Sequence, residues 1–135
     1  MLFRSVDQEW FGEYQFGNTN VWDSARRLDQ GMYRPGNINC LSFGMSKPLF
    51  LGRGGCILTD DRELYKAASR MRYDGRDIFE YSPWVDQKEF RVGYHYYMRP
   101  EDCVNALNLL NNRTFTTQTK EMHNYPDLRQ ITILE

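Results

Sequence analysis

The chain lacks several features that would assign it to a simple functional class. Its 135 residues include only two histidines and three cysteines. They form no CxxC pair and no HxxxH pattern, so we expect no metal site. No stretch approaches the roughly 18 apolar residues of a membrane span, and the start of the chain lacks the apolar run of a signal peptide. We therefore expect a cytoplasmic protein with no membrane partner.

An excess of charge of one sign is also missing. Seventeen basic and 18 acidic side chains leave a net charge of −1, and no basic stripe is present. Nucleic acid is therefore not an expected partner. What the chain does contain is 41% hydrophobic and 15% aromatic residues, which is typical of a globular protein with one modest core. We predict a single domain over residues 1–135.

Turn residues divide the chain into short predicted strands. Apolar runs predict a strand that ends at Asp23, a buried strand over 38–43 and a third strand over 55–59. Residues 1–19 show no clear period, and we expect them to be irregular or partly extended. A last short strand is predicted at 131–133. So few short strands make a poor free-standing sheet, which suggests a piece of a larger domain or pairing with a second copy.

Two helices are predicted, over 60–73 and 100–111. Asp60 and Glu63 have the spacing of a capping box, and Gly75 is a plausible end for the first helix. Between the two helices lies a long predicted loop rich in aromatic residues, suited either to an interface or to stacking with a sugar or nucleotide. The predicted apolar face of the second helix comprises Cys103, Leu107 and Leu110.

Lys47 follows the predicted buried strand that contains Ser42. Desolvation favours the neutral, nucleophilic form of a lysine amine, which can react with an aldehyde. A serine hydroxyl can bond a phosphate, and Asp23 at a neighbouring strand end can hold a cationic ring nitrogen. Pyridoxal phosphate needs these three parts. Each residue has an ordinary alternative: a solvated turn lysine, a helix N-cap at Asp23 and a backbone hydrogen bond at Ser42.

The order of several short motifs resembles the DegT/DnrJ/EryC1/StrS family of sugar aminotransferases, over about residues 20–125. That family has the type I fold of pyridoxal-phosphate-dependent enzymes. The resemblance implies an α/β chain that forms part of the large domain of this fold, with short strands and two or three helices. The matching motifs are Val21-Trp22-Asp23-Ser24-Ala25, Ser42-Phe43 to Lys47-Pro48-Leu49, Gly52-Arg53-Gly54-Gly55 to Thr59-Asp60-Asp61, Arg72-Tyr73-Asp74-Gly75-Arg76, and Gly93 to Tyr97.

The resemblance implies a role for each matching residue. Lys47 would be the catalytic residue that joins the cofactor aldehyde and transfers protons. Asp23 would pair with the pyridine nitrogen of pyridoxal 5'-phosphate, and Ser42 would bond its phosphate. His95 stands where the family has an asparagine that reaches the phosphate of a neighbouring subunit. The implied substrates are a keto sugar carried on a nucleotide and an amino donor such as glutamate.

Some positions depart from the family pattern. Arg26 replaces a histidine or glutamine, and Tyr97 replaces an arginine. The resemblance also implies that the N-terminal half of the large domain is missing, so that the chain is a truncated member. Two functions follow. One is an aminotransferase in amino-sugar and polysaccharide biosynthesis, working as a homo-oligomer or with a complementing chain. The other is a non-enzymatic module that dimerises or complements a separate chain.

Overall fold

Four short strands form one mixed sheet in the computed structural model, and two helices follow them along the chain. The structure describes residues 11–79, 84–87, 90–112 and 114–115. The α/β class is confirmed, as are the three predicted strands and both helices. The strand predicted at 131–133 lies outside the described residues. The elements are β1 (Tyr14–Gln15), β2 (Val21–Asp23), β3 (Ile38–Ser42), β4 (Gly55–Leu58), α1 (Arg62–Arg72), a 3₁₀ turn (Trp84–Asp86) and α2 (Pro100–Asn112).

The sheet has the order β1-β2-β3-β4. Strands β2 and β3 are parallel, with Asp23 opposite Cys40, whereas the two outer pairings are antiparallel. Because β2 and β3 are parallel, their carboxyl ends meet at the same edge of the sheet. Strand β1 was not predicted, since two residues are too short to show a period.

The core lies between one face of the sheet and α2. Phe43 and Leu49 are buried together with Ala106 of α2. Leu41 and Cys56 pack against this cluster, and they are partners across β3 and β4. Side chains of paired residues share one face of a sheet, so that face carries the core.

The buried face of α2 differs from the predicted one. Asp102 and Ala106 are buried, whereas Leu107 is 59% exposed. The predicted face was wrong because Asp102 forms ion pairs with Arg53, at 2.9 Å, and with Arg99, at 3.3 Å. These ion pairs turn the acidic side of the first turn towards the protein, and apolar side chains are left outside.

The start of α1 also differs by one residue. Asp61, not Asp60, is the N-cap, and its carboxylate accepts from the backbone N–H groups of Glu63 and Leu64. Asp60 instead accepts from the N–H of Gly36, so it holds a neighbouring turn and is not free to cap the helix. The predicted end is confirmed, because the N–H of Gly75 donates to the carbonyl of Arg70 at 2.9 Å. No helix among the described residues has the length and apolar character to cross a membrane.

Candidate functional site

Asp23 and Ser42 lie at one edge of the sheet, because each is the last residue of one of the two parallel strands. Asp23 is opposite Cys40, and Ser42 follows Cys40 by two positions, so the three side chains share one face. The pKa of the Cys40 thiol is raised, first by burial and then by the charge of Asp23. This electrostatic effect agrees with the shared face.

The carboxylate of Asp23 is held by two protein donors. The N–H of Ala25 donates to Oδ1 at 3.0 Å, and the hydroxyl of Tyr14 donates to Oδ2. Tyr14 is opposite Asp23 across β1 and β2. A carboxylate can accept about four hydrogen bonds, so Asp23 can accept a further N–H. Nothing in the sequence pointed to Tyr14, since its role depends on the unpredicted strand β1.

The alternative role of Asp23 as a helix N-cap is wrong. A single turn follows it, in which the N–H of Arg27 donates to the carbonyl of Ser24 at 3.1 Å. Residues 24–28 are otherwise irregular. No helix therefore begins at Asp23, and its Oδ1 instead accepts from the N–H of Ala25 in this turn.

Ser42 keeps a hydrogen-bond donor. Its Oγ accepts from the N–H of Gly44 at 3.2 Å, which leaves the hydroxyl hydrogen available to an anion. Ser42 is opposite Gly55 on β4, where an added Cβ would collide with the carbonyl of Leu41. Gly55 therefore permits the close approach of β4 to the end of β3.

Lys47 lies in the loop that directly follows the carboxyl end of β3, and it is half-buried. The base of this loop is closed by two backbone hydrogen bonds, from Phe43 to Gly54 at 2.9 Å and from Leu51 to Phe43 at 3.0 Å. Leu49, only 1% exposed, anchors the loop in the core. The loop that carries Lys47 is therefore part of the folded body of the protein.

His95 lies beside the end of α1, where it pairs with Tyr73. Its Nδ1 is 3.4 Å from Oδ1 of Asp74, and its ring centroid is 4.2 Å from that of Tyr97. The side chain is 68% exposed. The pKa of Asp74 is lowered, mainly by its hydrogen bond from Arg76 and also by His95. Tyr97 also stacks on Tyr73, with ring centroids 4.8 Å apart.

The side chains at the edge of the sheet fit the cofactor that the sequence implies. Asp23 offers acceptor positions to a protonated ring nitrogen, Ser42 offers a hydroxyl donor to a phosphate, and Lys47 follows Ser42 by five positions, in the loop after β3. No group of three or more histidine, cysteine or acidic side chains in the described part of the chain is arranged to hold a metal ion.

The model of the DegT/DnrJ/EryC1/StrS aminotransferase family matches residues 28–124, more than half of the chain. The matched range contains Ser42, Lys47 and His95 but begins after Asp23. Searches of the curated proteins and of the solved structures found no match.

Proposed function

Because the chain belongs to the DegT/DnrJ/EryC1/StrS aminotransferase family, we propose that it acts in the pyridoxal-phosphate-dependent transfer of an amino group to a keto sugar. The observation that carries the proposal is the parallel pairing of β2 and β3. It places a carboxylate and a hydroxyl at one edge and on one face of the sheet, and the loop with Lys47 follows directly. Ligands of α/β sheets commonly bind at this carboxyl edge.

The residues at this edge have separate proposed roles. Ser42 donates its hydroxyl to the cofactor phosphate, and Asp23 accepts from the protonated ring nitrogen. Tyr14 keeps the Asp23 carboxylate oriented through its hydroxyl. Lys47 would hold the cofactor through its amine and would then transfer a proton between the substrate carbon that bears the amino group and the former aldehyde carbon of the cofactor. When bound, pyridoxal phosphate supplies the electron-withdrawing ring that stabilises negative charge on the substrate carbon.

His95 has a proposed role between subunits. Its imidazole is largely exposed and lies beside the end of α1, in contact with Asp74 and Tyr97. From there we propose that it donates to the cofactor phosphate of a second copy or of a complementing chain. The exposure of the side chain supports this role, because an imidazole that serves a neighbouring subunit has to be accessible in the single chain.

The proposed reaction takes its amino group from glutamate and yields an amino sugar for polysaccharide synthesis in the cytoplasm, with a nucleotide-linked sugar as acceptor.

The test is the release of 2-oxoglutarate from glutamate in the presence of pyridoxal phosphate and a nucleotide-linked keto sugar. We expect Lys47→Ala to lower the rate by at least about a hundredfold, the contribution of a proton-transfer residue. Lys66→Ala, which removes a half-buried lysine paired with Glu63 on α1, is the matched control and should retain the rate. Equal rates for the wild type and Lys47→Ala would contradict the proposal.

The second candidate function is that of a non-enzymatic module that dimerises or complements another chain. The apolar side chains on the outside of α2 favour it: Val104 is 55%, Leu107 59% and Leu110 43% exposed. Light scattering distinguishes the two candidates when it is combined with the rate measurement. Association without 2-oxoglutarate release supports the module, and a well-folded monomer without activity contradicts both.

A further inference from the structure

Ser46, the residue before Lys47, has a backbone conformation that is unfavourable for a residue with a Cβ. Its φ is 61°, in the left-handed region. Among the described residues, Asp74 is the other non-glycine residue with a positive φ. Asp74 follows the end of α1, where a left-handed residue is common. Ser46 lies in a turn between Met45 and Lys47, so no helix end accounts for its conformation.

The residues that follow Lys47 restrict the same stretch of backbone. Pro48 has a fixed φ, and its ring disfavours a helical conformation at Lys47. Leu49 is 1% exposed and packs with Phe43 in the core. The direction of the chain at Lys47 is therefore determined from both sides, by a left-handed residue before it and by an anchored Pro-Leu pair after it.

We infer that Ser46 is a positioning residue for Lys47. Its left-handed conformation fixes the direction in which the backbone presents the Lys47 side chain beyond the carboxyl end of β3. Unfavourable backbone conformations persist where the surrounding structure imposes them, and they concentrate at functional sites. Ser46 is exposed, so its contribution comes from the backbone and not from packing. The functional part of this inference rests on the proposed use of the Lys47 amine.

Two substitutions at Ser46 separate backbone conformation from the other properties of the residue. Ser46→Gly keeps the left-handed conformation accessible without a Cβ, whereas Ser46→Val disfavours it strongly because valine is β-branched. Gly17→Val is the matched control. Gly17 has a φ of 56°, and an added Cβ there would have no atom within 4 Å. The control therefore puts a valine in the same left-handed conformation, but in the turn between β1 and β2.

The first measurement does not involve the cofactor. Hydrogen exchange of the free chain reports on the loop through the amide of Leu51, which donates to Phe43. We expect Ser46→Val to increase exchange at this amide about tenfold, while Ser46→Gly stays within about twofold of the wild type. Gly17→Val should leave exchange at Leu51 unchanged.

The second measurement is the rate at which pyridoxal phosphate is trapped on Lys47 by borohydride, with Lys66 as the internal reference. Ser46→Val should lower the rate of trapping at Lys47 about tenfold relative to Lys66, whereas Ser46→Gly should keep the wild-type rate. The inference is wrong if the Leu51 amide of Ser46→Val exchanges as slowly as that of the wild type. It is also wrong if this amide exchanges faster in Ser46→Val but pyridoxal phosphate is still trapped on Lys47 at the wild-type rate. A loosened loop without trapping at Lys47 in any variant would overturn the proposed function and still support the role of Ser46 in the loop.

Discussion

Glu13 shows how single residues stabilise the strands that carry the candidate site. Its side chain is 7% exposed and accepts from Arg34 at 2.8 Å, as well as from Arg27. The hydroxyl of Ser24 also donates to it, at 3.0 Å, and Asn39 donates in turn to Ser24 at 2.9 Å. Because Asn39 belongs to β3 and Ser24 directly follows β2, this network connects the two parallel strands on the face opposite Asp23.

Removal of the Glu13 carboxylate should lower the stability of the fold. Glu13→Ala removes the carboxylate that accepts from Arg34, Arg27 and the buried Ser24 hydroxyl, although Arg27 keeps Asp29 as a partner, and we expect it to lower the free energy of unfolding by about 3 kcal/mol. The matched control is Glu63→Ala, which removes an exposed partner of Lys66 and should cost at most about 0.5 kcal/mol. Urea titration measures both values. Equal costs for the two variants would show that the buried network does not stabilise the strands.

The three thiols should differ in reactivity. Burial raises the pKa of Cys40 and of Cys56, with smaller contributions from Asp23 and from Cys40 respectively. Cys103 is exposed. A raised pKa reduces the reactive thiolate at neutral pH, so iodoacetamide should modify Cys103 first, and modification of the other two should require a higher pH. Mass spectrometry of the native protein against pH tests this order, and faster modification of Cys40 at neutral pH would refute it.

Sequence reasoning could locate Asp23 and Ser42 at strand ends because short apolar runs precede both residues. It could not find Tyr14, since the pairing that brings its hydroxyl to Asp23 depends on a strand of two residues. Nor could it separate Asp60 from Asp61 as the N-cap of α1. Either carboxylate could serve from spacing alone, and the choice depends on Gly36, which lies 24 positions away from Asp60.

For helix α2, the local sequence pattern predicts the helix itself but not which of its faces is buried. Its existence followed from the sequence, but its rotation did not. The observed rotation brings Asp102 to Arg53, 49 positions away, a contact that a local pattern cannot show. As a consequence, Ala106 and Leu109 contribute to the core, whereas Leu107 and Leu110 lie outside it.

Substitutions on the two faces of α2 test this orientation. Ala106→Asp introduces an unpaired charge into the core and should lower the free energy of unfolding by about 3 kcal/mol or more. Leu107→Asp changes an exposed position of the same helix and should stay within about 0.5 kcal/mol. Thermal unfolding followed by circular dichroism compares the two variants. A larger effect at Leu107 would mean that α2 is rotated as the sequence pattern predicted.

In the molecule as a whole, a small core supports the edge of the sheet that carries the candidate site, and many apolar side chains stay exposed. The buried cluster of Phe43, Leu49 and Ala106 joins the sheet to α2 and anchors the loop of Lys47. The same arrangement leaves the outer face of α2 and the stretch around His95 exposed. The family could be recognised from the sequence because its motifs are local and ordered. The contact of His95 with Asp74 could not be predicted from the sequence, since it depends on how the long aromatic segment follows α1.

The central claim is that Lys47 is the cofactor-binding lysine of this chain. The most direct test incubates the protein with saturating pyridoxal phosphate, traps the bound cofactor with borohydride and maps the modified lysine by mass spectrometry. Our account predicts modification chiefly at Lys47, loss of the main product in Lys47→Ala and little modification of Lys66. Modification of Lys47 and Lys66 to the same extent, or an unmodified Lys47, would contradict it.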